Sequence, residues 1–497
     1  MQKISCPNCG GEVVFRSAAS VMAVCGYCQS TLLKDADSVK NIGKMSDLLE
    51  DYSPLQITTT GTYQGRSFSL VGRLQLRYEN GLWNEWHAMF DDGTTGWLSD
   101  GSGQFVFTVE DASPAESFPP FENLHPGMLV RYRGAGFYAT DVRTARCTGG
   151  EGELPFKVGQ GWESRAADCR VGHRFLTLDY SEAALPKVYA GQAVTLEQLR
   201  CQLLRNGDGG PGSVADSAAK FRGKAVALDC PSCGASIKYM AGMAYHLVCP
   251  SCHAEVDCST DKALVLQKAE ELRHVRTTIA LGDIGNINGV KYETIGLMQR
   301  QSRYGDETWT WVEYLLFNPD KGFHWIVEGS DRWDSVGVLN EWPELTRGGI
   351  TLHGDSYAKN DEYDAVVLYA AGAFNWRVSV GDRQHVIEYK KGGRVVASEA
   401  DEHEITWSAG REVARSQIGQ WFNKPFGTAQ AASAQNQGSG DGRFLYKWAK
   451  IFSVVIFCLD LPLILIAGAG WSVLLFALLL LWAPPVLLSL FGKDGNA

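Results

Sequence analysis

The stretch Cys6-Pro7-Asn8-Cys9-Gly10, with fifteen residues between Cys9 and the following Cys25-Gly26-Tyr27-Cys28, decides the reading of this chain, because it returns as Cys230-Pro231-Ser232-Cys233-Gly234 and Cys249-Pro250-Ser251-Cys252. All four cysteines recur at a constant offset of 224 residues. The same offset carries Gly65 onto Gly289, Phe68 onto Tyr292, Gly72 onto Gly296 and Gln75 onto Gln299. The repeating unit is therefore larger than the knuckle, a module of about two hundred residues that opens with one.

Two Cys-x-x-Cys pairs supply four thiolates from two turns in tetrahedral order, which suits zinc. One site is predicted at Cys6, Cys9, Cys25 and Cys28, and a second at Cys230, Cys233, Cys249 and Cys252. Flanking prolines and glycines let backbone amides approach the sulfurs and spread their charge. Four thiolates leave no position for water, so two structural zinc ions are expected, contributing folding energy rather than catalysis. Rubredoxin-like iron is the alternative. Eight of the 13 cysteines are used in this way and the rest are scattered, Cys258 among them, which argues for metal ligation in a reducing compartment and against a disulfide scaffold.

Outward from the knuckles, residues 12–16 and 20–24 read as the two strands of a small hairpin, and 36–49 as a connecting turn with a short helix. From residue 55 the pattern has period two, through Phe68-Ser69-Leu70-Val71 and Trp83-Asn84-Glu85-Trp86, with Asp-Gly and Gly-rich turns between strands. The predicted fold is mainly β: tandem zinc-ribbon plus β-barrel or sandwich-like modules, with a C-terminal transmembrane helical hairpin. The expected divisions are a first ribbon at 1–35, a first β-rich domain at 55–204 with a linker at 114–126, and a flexible joint at 205–224. A second ribbon at 225–260, a second β-rich domain at 275–422, a tether at 423–446 and a membrane hairpin at 447–491 follow.

The hairpin rests on two apolar tracts, 451–467 and 471–491, separated by Gly468-Ala469-Gly470 and together about twice the roughly 20 residues one crossing needs. Lys447, Lys450 and Lys493 flank it, so both ends are expected on the cytoplasmic side of a bacterial inner membrane. Asp460 within the tract would pair, stay protonated or mark a shallow tilt. The first five residues carry no apolar run, and no secretory leader is expected.

Composition narrows function. A net charge of -10 and a pI of 5.6 give no general drive toward nucleic acid, which is not the expected partner. No Gly-rich loop ends in Gly-Lys-Ser or Gly-Lys-Thr. Glu85, His87 and Asp91-Asp92 could be assembled into an acid/base site. The favoured reading instead puts Glu85 and His87 on the outward register of a strand whose other face carries Trp86 and Ala88, with Tyr314 as the approximate counterpart of His87. Asp168, Arg170, Asp179 and Tyr180 cluster in sequence without the spacing of a known mechanism, and Glu153 has Ala373 as its rough counterpart. No catalytic residue and no organic cofactor is expected. The fifteen tryptophans are expected mainly inside the β core, although Trp83, Trp309 and Trp311 could rim a binding groove.

The knuckles, Gly81-Leu82-Trp83-Asn84-Glu85-Trp86, Gly152-Glu153-Leu154-Pro155-Phe156 and Leu178-Asp179-Tyr180-Ser181 together resemble the bacterial family catalogued as domain of unknown function 4178, over roughly residues 1–420. The resemblance implies a zinc ribbon ahead of a β-rich domain, twice, and an accessory role at the inner membrane. It brings no activity. The second copy departs from it, with Gly372-Ala373-Phe374-Asn375-Trp376 in place of Gly-Glu-Leu-Pro-Phe. The expectation is a non-enzymatic, membrane-anchored interaction protein with a membrane-associated protein partner. The rivals are an enzyme with a site in the β-rich domains, which would gather Asp168, Asp179 and Glu153 around one cavity, and a nucleic-acid-binding ribbon protein.

Overall fold

The computed structural model describes residues 2–424, apart from 18–19, 36–37, 46–47, 50, 52, 159–161, 206–223, 242–244, 259–262, 269–274, 306 and 320. The predicted membrane hairpin with Asp460, the tether beyond residue 424 and most of the predicted joint at 205–224 lie outside the described residues. Among the described residues no helix is long and apolar enough to cross a membrane. Met1–Arg303 and Thr310–Pro425 form one compact unit. Within it the chain folds twice as a cysteine ribbon followed by a β-barrel.

The first barrel has eight antiparallel strands: β1 (Arg66–Arg77), β2 (Leu82–Phe90), β3 (Thr95–Gly101), β4 (Gln104–Asp111), β5 (Ala135–Leu154), β6 (Glu163–Val171), β7 (Arg174–Asp179) and β8 (Lys187–Val194). Their order around the wall is β1-β2-β3-β4-β8-β7-β6-β5, and β5 returns to pair with β1. Closure falls to β5 because it is long enough to serve two neighbours. Its first half pairs with β6, and its second half, from Cys147 to Gly152, pairs with β1. The second barrel repeats this order with β9 (Val290–Tyr304), β10 (Glu307–Asn318), β11 (Gly322–Glu328), β12 (Trp333–Val338), β13 (Asp355–Phe374), β14 (Arg383–Lys391), β15 (Arg394–Ala400) and β16 (Ile405–Val413).

At the closure Gly152 lies opposite Gly72, and in the second copy Gly372 lies opposite Gly296. A Cβ on Gly152 would stand 2.2 Å from the Val71 carbonyl oxygen, and its φ of 69° is one that side chains resist. The corresponding Gly372 has φ 97° and would meet the Ile295 oxygen at 2.3 Å. Glycine at these points lets the two strands cross.

Each ribbon is continuous with its barrel wall. Met22–Val24 pairs with the end of β5 and His246–Val248 with the end of β13. Residues 38–44, read from sequence as part of a turn and short helix, form a strand on Ser30–Asp35. The β-branched Val39 and Ile42 favour the pleat, and pairing with an open ribbon edge outweighs local helix propensity. The 114–126 stretch is also more than a linker, because Phe118, Phe121 and Leu124 pack over Leu176, Leu178 and Ala167 on the barrel's outer face.

The outer face of the wall is covered elsewhere as well. Trp86, Ala88, Phe68 and Phe107 point outward into a core closed by Leu55, Tyr63, Leu196 and Leu199. After β16 the chain forms the short helix α1 (Arg415–Phe422), ended by Asn423 in the left-handed conformation. In the first copy the corresponding segment is a run of turns.

Candidate metal centres and barrel cavity

In each ribbon the four Sγ atoms lie within 4.8 Å of one another. Cys6 and Cys28 are 3.7 Å apart, as are Cys9 and Cys25; the second ribbon has 3.7 Å for Cys230 and Cys252 and 3.8 Å for Cys233 and Cys249. Thiolates about 2.3 Å from a tetrahedral ion stand about 3.8 Å from each other, whereas a disulfide would bring sulfurs to about 2.05 Å. The separations therefore suit an ion held by four sulfurs.

Local backbone produces this geometry. Each pair is followed by one left-handed residue, namely Gly10, Gln29, Gly234 and His253. The N–H of this residue donates back to the first cysteine of the pair, as in Gly10 N–H donating to Cys6 O at 2.8 Å and His253 N–H donating to Cys249 O at 2.8 Å. Cys258 stands apart from the second quartet, and its thiol faces Tyr245 O.

Glu153 fastens the first ribbon to its barrel. Its Oε2 accepts from Arg16 N–H at 2.8 Å, Ser17 N–H at 3.0 Å and the Ser20 hydroxyl at 2.9 Å. His87 contacts the Glu153 carbonyl oxygen through Nδ1 at 3.0 Å, and burial drives its pKa down to about 4. Ala373 takes the corresponding position in the second copy, as expected, opposite Leu247. There Glu255 of the ribbon itself accepts from Ser379 at 2.9 Å and faces Arg377.

A cavity of about 920 Å³ runs through the interiors of the two barrels. Glu85, Asp168, Arg170 and Asp179 line it in the first barrel, with Trp83 and Trp97. The outward reading of Glu85 and His87 is thereby corrected: Glu85 faces the lumen, His87 is wholly buried, and Trp86 and Ala88 occupy the outer face. Asp92 is engaged by Arg66 at 2.7 Å in an exposed turn, so no acid/base set forms around His87. Of the three acids that an enzyme reading would gather, Asp168 and Asp179 share the cavity, while Glu153 serves the ribbon. Tyr180 points the other way and donates to Pro119 O.

Strand register reveals a correspondence hidden in the sequence. Trp83 Nε1–H donates to Glu85 at 2.7 Å, and Trp311 Nε1–H donates to Glu313 at 2.6 Å. Trp86 therefore corresponds to Tyr314, both wholly buried, and Tyr314 is not the counterpart of His87. Following the pairings around each wall, Asp168 corresponds to Glu388 and Asp179 to Glu399. The repeated Trp-x-Glu was the available signal, and it was missed because its offset differs from that of the cysteines.

The cations differ between copies. Arg143 of the first barrel contacts Asp141 and donates to Glu404 of the second copy at 2.5 Å. In the second barrel Arg300 Nη1–H donates to Glu313 at 3.2 Å and Glu399 at 2.7 Å. Burial raises the Glu85 pKa to about 7 against the donors Ser99 and Trp83, with Asp168 and Asp179 adding to the rise. Burial likewise raises Asp168 and Glu313 and lowers Arg170.

The family model described as Domain of unknown function (DUF4178) matches residues 56–196 and 280–415. Each match spans a barrel and stops short of its ribbon. No curated protein and no solved structure matches the chain.

Proposed function

The chain belongs to the DUF4178 family, with two copies of its domain, and we propose that it is a zinc-organised binding protein whose double barrel serves as a rigid platform for a membrane-associated protein partner. The observation that carries this reading is the continuity of each cysteine ribbon with the barrel wall, Met22–Val24 on β5 and His246–Val248 on β13. A metal held by four thiolates has no open position for a substrate, so its contribution is to fix the ribbon and, through the shared sheet, the barrel rim. The apolar tracts at 451–467 and 471–491 would hold the platform at the cytoplasmic face of an inner membrane, raising its effective concentration toward partners there. A role in envelope maintenance fits that placement.

The test is cross-linking and capture from gently solubilised membranes, comparing the full chain, a chain lacking 447–497 and a Cys249→Ser/Cys252→Ser variant. The shortened chain should leave the membrane fraction, and partners should be lost from the folded double variant. A full chain that fractionates as soluble contradicts the anchor, and a partner set unchanged in the double variant contradicts the ribbon's part in docking.

An enzyme working inside the cavity is the second reading, favoured by Glu85 with its pKa near 7 beside Asp168 and Asp179. Substrate turnover abolished by Asp179→Asn in a folded protein would establish it.

A further inference from the structure

The second barrel contains an internal template. Arg300 sits in its lumen with the guanidinium shared by Glu313, Glu399 and Gln384, the last at 2.8 Å. Cys147 pairs with Leu76 and Val367 with Arg300, each one step from the same irregularity in the closing strands. Leu76 thus corresponds to Arg300, just as Glu85 corresponds to Glu313 and Asp179 to Glu399. The first barrel keeps both acids and replaces the arginine by an aliphatic side chain.

We propose that the lumen of the first barrel binds an organic cation, a guanidinium or ammonium head group seated between Glu85 and Asp179 where the second barrel places Arg300. The arginines that line the first lumen, Arg143 and Arg170, have neighbours other than Glu85. Arg143 is tied to Asp141 and Glu404, and Arg170 lies over the Phe175 ring, 4.9 Å from its centroid, with Asp168 the strongest of its charged neighbours. The charged groups that act most strongly on Glu85 are Asp168 and Asp179, both acids. Lys187, opposite Asp179 in the sheet, is paired with Glu182 at 2.6 Å.

The walls fit the same guest. Trp83, Trp97 and Tyr189 face the cavity, offering aromatic surface that attracts soft cations, and Leu74 and Leu76 can receive an aliphatic stem. A small metal ion suits the site poorly. Among the described residues, the only groups of three or more metal-ligating side chains converging within 4.8 Å are the two cysteine quartets, and a hard divalent ion demands convergent oxygens. This inference stands on the cavity and does not depend on the platform reading.

The experiment is calorimetric titration of n-butylguanidinium into the full-length, metal-loaded chain, with n-butylurea as the neutral isostere. The cation should bind saturably and the urea should not. Glu85→Gln should weaken binding by about tenfold or more, the scale of one charge-assisted hydrogen bond. Leu76→Arg, which supplies a tethered guanidinium, should do the same. Titration at pH 6.5 in buffers of different ionisation enthalpy should show proton release, as the guest draws Glu85 into its ionised form. Absent cation binding, urea binding of equal strength, or unchanged affinity in folded Glu85→Gln would each overturn the proposal.

Discussion

Arg300 and Leu76 occupy the same position of the repeat, one a guanidinium between the buried Glu313 and the half-buried Glu399 and the other an aliphatic side chain facing the equivalent pair. Removing the cation from the second barrel leaves Glu313 and Glu399 facing each other without it. Arg300→Met is therefore expected to destabilise the chain by about 3–5 kcal/mol, the usual cost of breaking a buried ion pair on one side. Urea unfolding measures this, and a loss below about 1 kcal/mol would mean that water already screens the lumen.

Glu153 takes three donors on one oxygen, two of them backbone amides of the first ribbon. Glu153→Ala should cost about 3–5 kcal/mol, since it strips buried donors of a charged acceptor. Hydrogen exchange should speed up at residues 16–24 ahead of the barrel strands. Uniform loss of protection across the barrel would show that ribbon and barrel unfold together.

The closure of each barrel depends on glycine. Gly152→Ala combines a left-handed backbone with overlap on Val71 O, and should cost at least about 3 kcal/mol or prevent folding. Gly348→Ala, where nothing lies within 4 Å of the added methyl, is the control and should stay within about 0.5 kcal/mol. Equal behaviour of the two variants would remove the crossing argument.

The raised pKa of Glu85 has a defined sign. The folded state holds this proton up to about pH 7, whereas the unfolded chain releases it near 4.5. Its stabilising contribution is complete below about pH 4.5 and disappears as pH rises through 7. His87, His246 and His324, all lowered to about 4, act oppositely between pH 6.5 and 4, so the difference between wild type and Glu85→Gln is the useful quantity. The variant should gain relative stability from pH 5 to 8, by up to about 3 kcal/mol. A flat difference would place Glu85 in contact with bulk water.

The two cysteine quartets, which the structure gathers within 4.8 Å, and the repeated Gly72 and Gly296 were legible from the sequence because the repeat shows each one twice at a fixed offset. The orientation of the wall was not. Period-two alternation separates two faces without saying which points inward, and Trp86 and Ala88 suggested that the apolar face lines the core. Here that face is roofed from outside by Leu55, Tyr63 and Leu199, so Glu85 turns into the lumen. The acid correspondences were hidden for a related reason. The offset is 224 residues at Gly72, 228 at Glu85 and 220 at Asp168, and only the hydrogen-bonded register follows such drift.

Zinc in both four-thiolate centres is what would brace the two barrels. Native mass spectrometry of the full-length chain, purified without chelator, tests it most directly. The predicted result is two zinc ions per chain, falling to one in Cys25→Ser and in Cys249→Ser, with thermal stability lowered in each. A metal-free chain with its cysteines oxidised, or one carrying iron, would contradict it.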